Sequence, residues 1–229
     1  MNVQGYQKLT LLDFPGRVAC TIFTGGCNLR CPFCHNAGLV RTPFSSKNSE
    51  EEVLAYLATR RGLLDGVCIT GGEPLLQTDL SAFIQRVKEM GYAVKLDTNG
   101  SLPDRLAALL GTGLLDYVAM DVKSSPAGYA VATGREGDIA PYLQSIRLLE
   151  ESDLPHEFRT TWVKGIHTAA DAEAIGQLLA GTKRYFLQAF RDSGNLLGAG
   201  VSSFSEAEMS AFLDIIKKYI PAAELRGQG

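Results

Sequence analysis

Three cysteines crowd into one short segment of the chain, at Cys27, Cys31 and Cys34. Cysteine thiolates are preferred ligands of iron–sulfur clusters and of zinc. The C-x3-C-x2-C spacing folds three sulfurs toward one centre, and in a cluster with four metal positions three ligands leave one position open to a substrate. The alternative is a structural zinc site of the Cys3His type, with His35 as its fourth ligand.

The other two cysteines, Cys20 and Cys68, lie within apolar segments of the sequence. We expect both to be small core residues rather than metal ligands. A total of five cysteines is an odd number, and three of the five are clustered. That pattern is not typical of a disulfide framework, and it favours metal or redox chemistry.

Apolar segments of strand length alternate with amphipathic helical patterns along the chain. The predicted strands cover 17–23, 66–70, 92–97, 117–120, 157–163 and 184–187. The predicted helices cover 49–61, 79–89, 103–110, 141–151, 169–179 and 205–219. A helix supplies the crossover that a parallel strand pair needs, so we predict an α/β fold with a parallel sheet. A doubly wound sheet and a partial barrel both satisfy the pattern, and we expect a single domain over residues 1–229.

The cysteine segment follows the first predicted strand, and polar motifs follow the next three. These motifs are Thr70-Gly71-Gly72-Glu73, Asp97-Thr98-Asn99-Gly100 and Asp121-Val122-Lys123. Because ligands bind at the carboxyl ends of parallel strands, we predict one shared site there. Paired glycines allow a ligand to approach the backbone, and Glu73 offers a carboxylate to it or to an ammonium group. Taken singly, these motifs fit ordinary turns or a surface ion pair equally well.

Arg159 lies within the fifth predicted strand, between aromatic neighbours. An inward orientation would make it a ligand for a carboxylate, whereas an outward orientation would give an ordinary ion pair. Alternation along a strand puts Asp121 and Lys123 on the same side of the chain.

The composition limits the classes of partner. The chain has 229 residues, 45% of them hydrophobic, and its 22 Lys and Arg against 25 Asp and Glu give a net charge of −3. A chain this apolar can bury enough surface to fold, and its weak negative charge gives no reason to expect a nucleic-acid or membrane partner. The sequence has no stretch long enough to span a membrane and no signal-peptide pattern, so we expect a cytoplasmic protein.

Taken together, the cysteine motif after the first strand and the GGE motif after the second resemble those of radical S-adenosylmethionine enzymes. The resemblance covers essentially the whole chain and implies a partial (β/α)6 barrel. It implies that the three clustered cysteines hold a 4Fe-4S cluster and that S-adenosylmethionine binds the remaining iron. The cofactor-binding residues implied by it are Phe33, His35, Gly71, Gly72, Glu73, Thr98, Asn99, Asp121, Lys123 and Arg159.

The resemblance also implies particular roles for some of these residues. The neighbourhood of Phe33 would contact adenine, while Gly72 and Glu73 would receive the methionyl ammonium. Asp121 and Lys123 would bind ribose or carboxylate. A monovalent cation is implied near Asp97, Thr98 and Asp121.

Within that superfamily, the segments 6–16 and 34–36 resemble the glycyl-radical-enzyme activases. The resemblance is strongest to activases of anaerobic ribonucleoside-triphosphate reductase, with pyruvate formate-lyase activases as near relatives. It implies a glycyl radical enzyme as protein substrate and a flavodoxin or ferredoxin as electron donor. A radical enzyme that acts on a small molecule is the alternative within the superfamily.

The segment after the sixth strand departs from the activase pattern. Pyruvate formate-lyase activases carry a histidine near the cofactor there, whereas this chain has Gln188-Ala189-Phe190-Arg191. Neither His156 nor His167 can be assigned that role from the sequence. We expect both to be solvated or capping residues.

Overall fold

The computed structural model describes residues 1–40, 45–192 and 194–227, and it is built around one eight-stranded sheet. The strands lie side by side in chain order as β1 (Val3–Thr10), β2 (Ala19–Thr24), β3 (Gly66–Gly71), β4 (Ala93–Thr98), β5 (Tyr117–Asp121), β6 (His156–Trp162), β7 (Tyr185–Ala189) and β8 (Glu224–Arg226). β1 is antiparallel to β2, whereas all the later neighbours are parallel. The predicted α/β class is therefore confirmed.

Helices connect the parallel strands. They are α1 (Ala37–Val40), α2 (Glu50–Ala58), α3 (Leu80–Glu89), α4 (Pro103–Leu110), α5 (Tyr129–Thr133), α6 (Ala140–Glu150), α7 (Ala169–Leu178) and α8 (Glu206–Lys217). A capping box begins α2, where Ser49 and Glu52 bind each other's backbone amides, and Ser205 and Glu208 do the same for α8. None of the helices in the described ranges is long and apolar enough to cross a membrane.

The side chains of the central strands divide the sheet into two faces, as the two-residue period of a strand requires. On β6, the fully buried Phe158 and Trp162 belong to the main hydrophobic core, together with Phe212 of α8. Glu157 and Arg159 alternate with them and point to the opposite side, away from the helices. The apolar face thus holds the helices, and the other face carries polar groups into the interior of the sheet.

Strong curvature of the sheet makes it a partial barrel. Side chains from seven successive strands line a single cavity: Gln7, Thr21, Phe23, Thr70, Asp97, Asp121, Arg159 and Gln188. A flat sheet could not bring these strands together around one space. β1 and β8 are the outer strands of the described sheet and are not paired with each other, so the barrel is open.

The sequence patterns do not predict β1 or β8. β1 reads VQGYQKLT and exposes three consecutive residues, so it lacks the regular alternation of a half-buried strand. β8 has only three residues, too few for any periodicity to show. Both strands exist because the edges of the six-stranded parallel sheet offer unpaired backbone groups.

Candidate metal and cofactor site

A cavity of about 480 Å³ lies at the carboxyl ends of the parallel strands. Its volume is within the usual range of about 300–1,000 Å³ for small-molecule sites. Its walls contain twelve of the thirteen predicted ligand residues: Cys27, Cys31, Cys34, Phe33, His35, Gly71, Gly72, Thr98, Asn99, Asp121, Lys123 and Arg159. The fold therefore brings together, around one space, motifs that are up to 132 residues apart in the chain (159 − 27).

The cysteine segment forms one wall of the cavity. Cys27, Cys31 and Cys34 carry free thiols and pack with the buried Leu29 and Phe33. The backbone amide of Leu29 lies 3.4 Å from the Cys27 sulfur. Burial raises the pKa of the Cys31 thiol to about 12, opposed by the positive charge of Lys123. Metal binding is the usual way in which such a buried thiol loses its proton.

Two glycines hold the end of β3 against this cysteine segment. A β-carbon on Gly72 would lie 1.9 Å from the Gly26 carbonyl oxygen, and Gly71 has a φ of 118° with no space beside Thr24. The amide of Glu73 donates to the Gly26 carbonyl over 2.8 Å. Both positions therefore require glycine for the close approach of Thr24 and Gly26, and both glycines also line the cavity. That they admit a ligand to the backbone stays a prediction.

The Glu73 carboxylate is buried behind the cavity wall. Its side chain is fully buried, does not line the cavity, and accepts hydrogen bonds from the Asn99 amide at 2.7 Å and the Thr98 hydroxyl at 2.8 Å. The Leu75 amide donates to it as well. A buried carboxylate needs such donors, and here neighbouring loops supply them. Burial raises the pKa of Glu73 to about 7 against the effect of these hydrogen bonds.

Four side chains form what we call the cavity charge cluster: Asp97, Asp121, Lys123 and Arg159. Arg159 contacts Asp121 at 2.5 Å and Asp97 at 2.9 Å, while Lys123 contacts Asp121 at 2.8 Å. Burial would raise the pKa of Asp121, but Arg159 and Lys123 hold it well below its usual range. Burial also works to raise the pKa of Asp97, but the positive charges of Arg159 and Lys95 lower it below its usual value. Arg159 therefore points inward, one of the two orientations that the sequence leaves open.

His167 contacts two residues of the cavity wall, Lys123 and Phe33, and is not the solvated or capping residue that the sequence predicts. It is 4% exposed, neither solvated nor a helix cap, and its Nε2 lies 2.9 Å from the Lys123 carbonyl oxygen. Its Nδ1 accepts the Val163 amide, so Nε2 carries the proton and donates. The ring also meets Phe33 edge-on, with 6.4 Å between centroids. These contacts join segments that are far apart in the chain, so no local sequence pattern predicts them.

The donor set can be tested for the type of metal centre it fits. Among the residues that the structure describes, no three His, Cys, Asp or Glu side chains converge closely enough to bind a single metal ion. His35 lies against Phe190 instead, with 5.3 Å between ring centroids. This arrangement disfavours the Cys3His zinc alternative. Three free thiols on one wall of a roomy cavity suit a cluster of several metal ions, whose ligands are more widely separated.

These features define a class of protein: an open α/β barrel with a cysteine-lined cofactor cavity at the carboxyl ends of its strands. The family model of the Radical SAM superfamily matches residues 21–179, and the chain belongs to that superfamily. It is therefore a radical S-adenosylmethionine enzyme. Membership implies a 4Fe-4S cluster and S-adenosylmethionine, and the thiols and the cavity fit both groups.

Similar proteins lie on two branches of this superfamily. A Methanocaldococcus jannaschii protein named "Putative glycyl-radical enzyme activating enzyme" is 32% identical, over 98% of this chain and 95% of its own. A 7-carboxy-7-deazaguanine synthase of Methanopyrus kandleri is 35% identical, over 54% of each chain.

Two solved structures share the fold. A domain of pyruvate-formate lyase-activating enzyme from Bacteroides vulgatus has a TM-score of 0.58 at 20% identity, over 71% of this chain and 99% of its own. Streptococcus suis SuiB bound to its precursor peptide SuiA has a TM-score of 0.73 at 13% identity, over 90% of this chain and 48% of its own.

Proposed function

We propose that this protein is a glycyl-radical-enzyme activase whose partner is an anaerobic ribonucleoside-triphosphate reductase. The observation that carries the proposal is the joint placement of three free thiols and the cavity charge cluster around one cavity. Similarity over almost the whole chain to the Methanocaldococcus jannaschii protein supports the activase branch. The reductase as partner rests on the likeness of segments 6–16 and 34–36 to activases of that reductase.

Cys27, Cys31 and Cys34 would hold the 4Fe-4S cluster, reduced by a flavodoxin or ferredoxin. When bound, the cluster and S-adenosylmethionine supply one-electron cleavage of the C5′–S bond and the radical that removes a hydrogen atom from the partner's glycine. The chain itself would bind and orient the cofactor and the substrate and would exclude water from the cavity, as is usual for cofactor enzymes.

The remaining residues in and behind the cavity wall differ in the part that each would play in cofactor binding. Lys123 and Arg159 offer N–H donors with fixed positive charge to the ribose and carboxylate of the cofactor. Phe33 is 4% exposed and offers an apolar surface to the adenine. Glu73 fixes the 98–99 loop from behind, which makes it a positioning residue.

A protein substrate agrees with the shape of the cavity mouth. Gln7 and Asp13, from β1 and the turn after it, line the cavity on its open side. The end of β1 and the turn after it expose apolar side chains that nothing in the described chain covers, with exposed fractions of 55% for Leu9, 67% for Leu11 and 88% for Leu12. Neighbouring exposed apolar side chains of this kind are typical of contact surfaces.

The test is electron paramagnetic resonance spectroscopy of an anaerobic mixture. Cluster-loaded protein, S-adenosylmethionine and a reductant are combined in turn with an anaerobic ribonucleoside-triphosphate reductase and with a pyruvate formate-lyase from the same organism. We expect a glycyl-radical doublet on the reductase, absent when its radical-site glycine is replaced by alanine. A doublet on the lyase alone would move the activity to that partner.

Similarity to a 7-carboxy-7-deazaguanine synthase favours one other candidate, radical chemistry on a small molecule. In that case no glycyl radical enzyme acquires the doublet. A small metabolite would instead accelerate the formation of 5′-deoxyadenosine, and this result would replace the activase proposal.

A further inference from the structure

Arg159 bridges two aspartates at the edge of the cavity. Its Nε lies 2.5 Å from Asp121 Oδ1, and its Nη2 lies 2.9 Å from Asp97 Oδ2. All three side chains are largely buried, with exposed fractions of 15% for Arg159, 11% for Asp97 and 26% for Asp121. The guanidinium therefore lies between the two carboxylates from which the resemblance implies a monovalent cation site.

The other two carboxylate oxygens also hold cations of the chain. Lys95, 1% exposed, pairs with Asp97 Oδ1, and Lys123 lies 2.8 Å from Asp121 Oδ2. Each of the four oxygens therefore contacts one positively charged group. Three cationic and two anionic side chains give this group a formal charge of +1.

The remaining oxygen of the implied cation site is engaged too. The Thr98 hydroxyl donates to Glu73 at 2.8 Å and accepts the Gly100 amide at 3.2 Å. An alkali-metal ion needs several oxygen ligands, and here it would meet three neighbouring positive charges instead. These surroundings do not fit the monovalent metal ion that the resemblance implies near Asp97, Thr98 and Asp121.

We propose that the Arg159 guanidinium takes the place of a monovalent metal ion and binds the carboxylate of S-adenosylmethionine through Nη1. Nε donates to Asp121 and Nη2 donates to Asp97, whereas Nη1 has no hydrogen-bond partner within the described ranges. Arg159 lines the cavity, and the positive charge of its guanidinium favours an anionic ligand. Cofactor binding is then independent of Na⁺ and K⁺.

The ionisation of Arg159 and of its two aspartates agrees with this role. Burial works against charge at Asp97 and Asp121, yet Arg159 is the largest opposing influence and lowers the pKa of both. Burial alone would lower the pKa of Arg159, but the two aspartates raise it well above its usual value. The bridge is therefore charged throughout the physiological pH range.

The first test measures the affinity of the cluster-loaded, full-length protein for S-adenosylmethionine by anaerobic isothermal titration. The buffers contain chloride salts of Na⁺, K⁺ or tetramethylammonium at equal ionic strength. We expect the three dissociation constants to agree within about twofold, well under the 1.4 kcal/mol that a tenfold change represents. Affinity tenfold higher in Na⁺ or K⁺ than in tetramethylammonium would overturn the proposal.

Variants of Arg159 supply the second test. Arg159→Gln is expected to weaken binding in tetramethylammonium by about ten- to a hundredfold, with partial recovery in Na⁺ or K⁺. The same variant should broaden the ²³Na nuclear magnetic resonance line beyond wild type, which reports ion binding directly. Unchanged affinity in Arg159→Gln would contradict the proposal. Arg86→Gln, on the exposed face of α3, is the matched control.

Arg159→Lys keeps the folded chain testable if the glutamine variant does not fold. This variant retains the positive charge, so we expect weaker binding of S-adenosylmethionine with a dissociation constant that still does not depend on Na⁺ or K⁺. A dependence on either ion would refute the role given to Arg159. The proposal rests on the use of S-adenosylmethionine in this cavity. Absence of binding in every buffer would contradict that use itself, whereas binding that requires Na⁺ or K⁺ would contradict only the role of Arg159.

Discussion

Strand β6 places two charged residues, Glu157 and Arg159, on the same side of the sheet in two different buried surroundings. Glu157 is fully enclosed by Tyr117 and Arg226, and we call these three residues the basal charge cluster. Arg159 belongs to the cavity charge cluster, which borders open space. Two positions along one strand thus separate a closed group of charges from an open one.

The two clusters differ in whether their partners are complete. Both Glu157 oxygens accept hydrogen bonds, from Arg226 at 2.7 and 3.1 Å and from Tyr117 at 2.9 Å, and Arg226 also lies over the Phe186 ring at 3.5 Å. Glu157 is fully buried and both of its oxygens are engaged, so its carboxylate does not face a ligand. In the cavity charge cluster, Arg159 keeps an N–H group for one. We therefore expect the basal charge cluster to stabilise the folded state and the cavity charge cluster to bind the cofactor.

The largest expected loss of activity comes from replacing the three cysteines in the cavity wall. Cys27→Ala, Cys31→Ala and Cys34→Ala should each abolish the absorption of the 4Fe-4S cluster and all cleavage of S-adenosylmethionine, because three thiolates are the minimum ligand set. Cys20→Ala and Cys68→Ala serve as controls, since both residues lie within strands and away from the cavity wall. Loss of the cluster in either control would refute this assignment of ligands.

Arg226→Gln should separate stability from binding. Removing one partner of a buried ion pair costs about 3–5 kcal/mol, and the 33% exposure of Arg226 reduces our expectation to about 2–4 kcal/mol of unfolding free energy. Chemical denaturation measures it. The affinity of the folded variant for S-adenosylmethionine should stay at the wild-type value, and a large loss of affinity would erase the distinction between the clusters.

The same pair predicts a direction of pH dependence. Burial would raise the pKa of Glu157, but Arg226 lowers it below the usual value. Its stabilising contribution is therefore complete above the unfolded-state pKa of about 4.3 and is lost as the pH falls through the lower pKa of the folded state. Denaturation of wild type and Arg226→Gln should converge in acid, and parallel curves would show that Glu157 is not responsible.

Lys123→Ala tests the open cluster by loss of one charged hydrogen bond, which typically costs about 1.5–3 kcal/mol. Affinity for S-adenosylmethionine should fall by about ten- to a hundredfold, while the absorption spectrum of the 4Fe-4S cluster changes little. Isothermal titration measures the affinity. An unchanged dissociation constant would reduce Lys123 to a simple ion pair with Asp121.

The smallest effect is expected at His167. Loss of its hydrogen bond to the Lys123 carbonyl in His167→Leu should weaken cofactor binding by about three- to tenfold, while His167→Gln, which keeps a donor, should restore part of it. Burial lowers the pKa of His167, so the folded state resists protonation and loses stability as the pH falls below about 6.5. Nuclear magnetic resonance titration should place its midpoint below that value, and a midpoint above it would contradict the buried, neutral ring.

The sequence predicts the features that local patterns encode. Alternating strands and helices indicate the parallel sheet, and the D-x-K spacing of Asp121 and Lys123 places both side chains in the cavity. The direction of the Glu73 carboxylate and the bridge from Arg159 to Asp97 depend on contacts across 26 and 62 residues, which no short pattern contains. The burial of His167 is not predicted for the same reason, because its partner Lys123 lies 44 residues away.

Formation of 5′-deoxyadenosine tests the central claim, that this cavity cleaves S-adenosylmethionine at a cluster held by three cysteines. The measurement uses anaerobically purified protein with iron and sulfide contents near four each, a strong reductant and S-adenosylmethionine, followed by quantitative chromatography. We predict 5′-deoxyadenosine and methionine in equal amounts from the wild type and none from Cys31→Ala. Folded, iron-loaded and reduced wild-type protein that forms no 5′-deoxyadenosine would contradict the account.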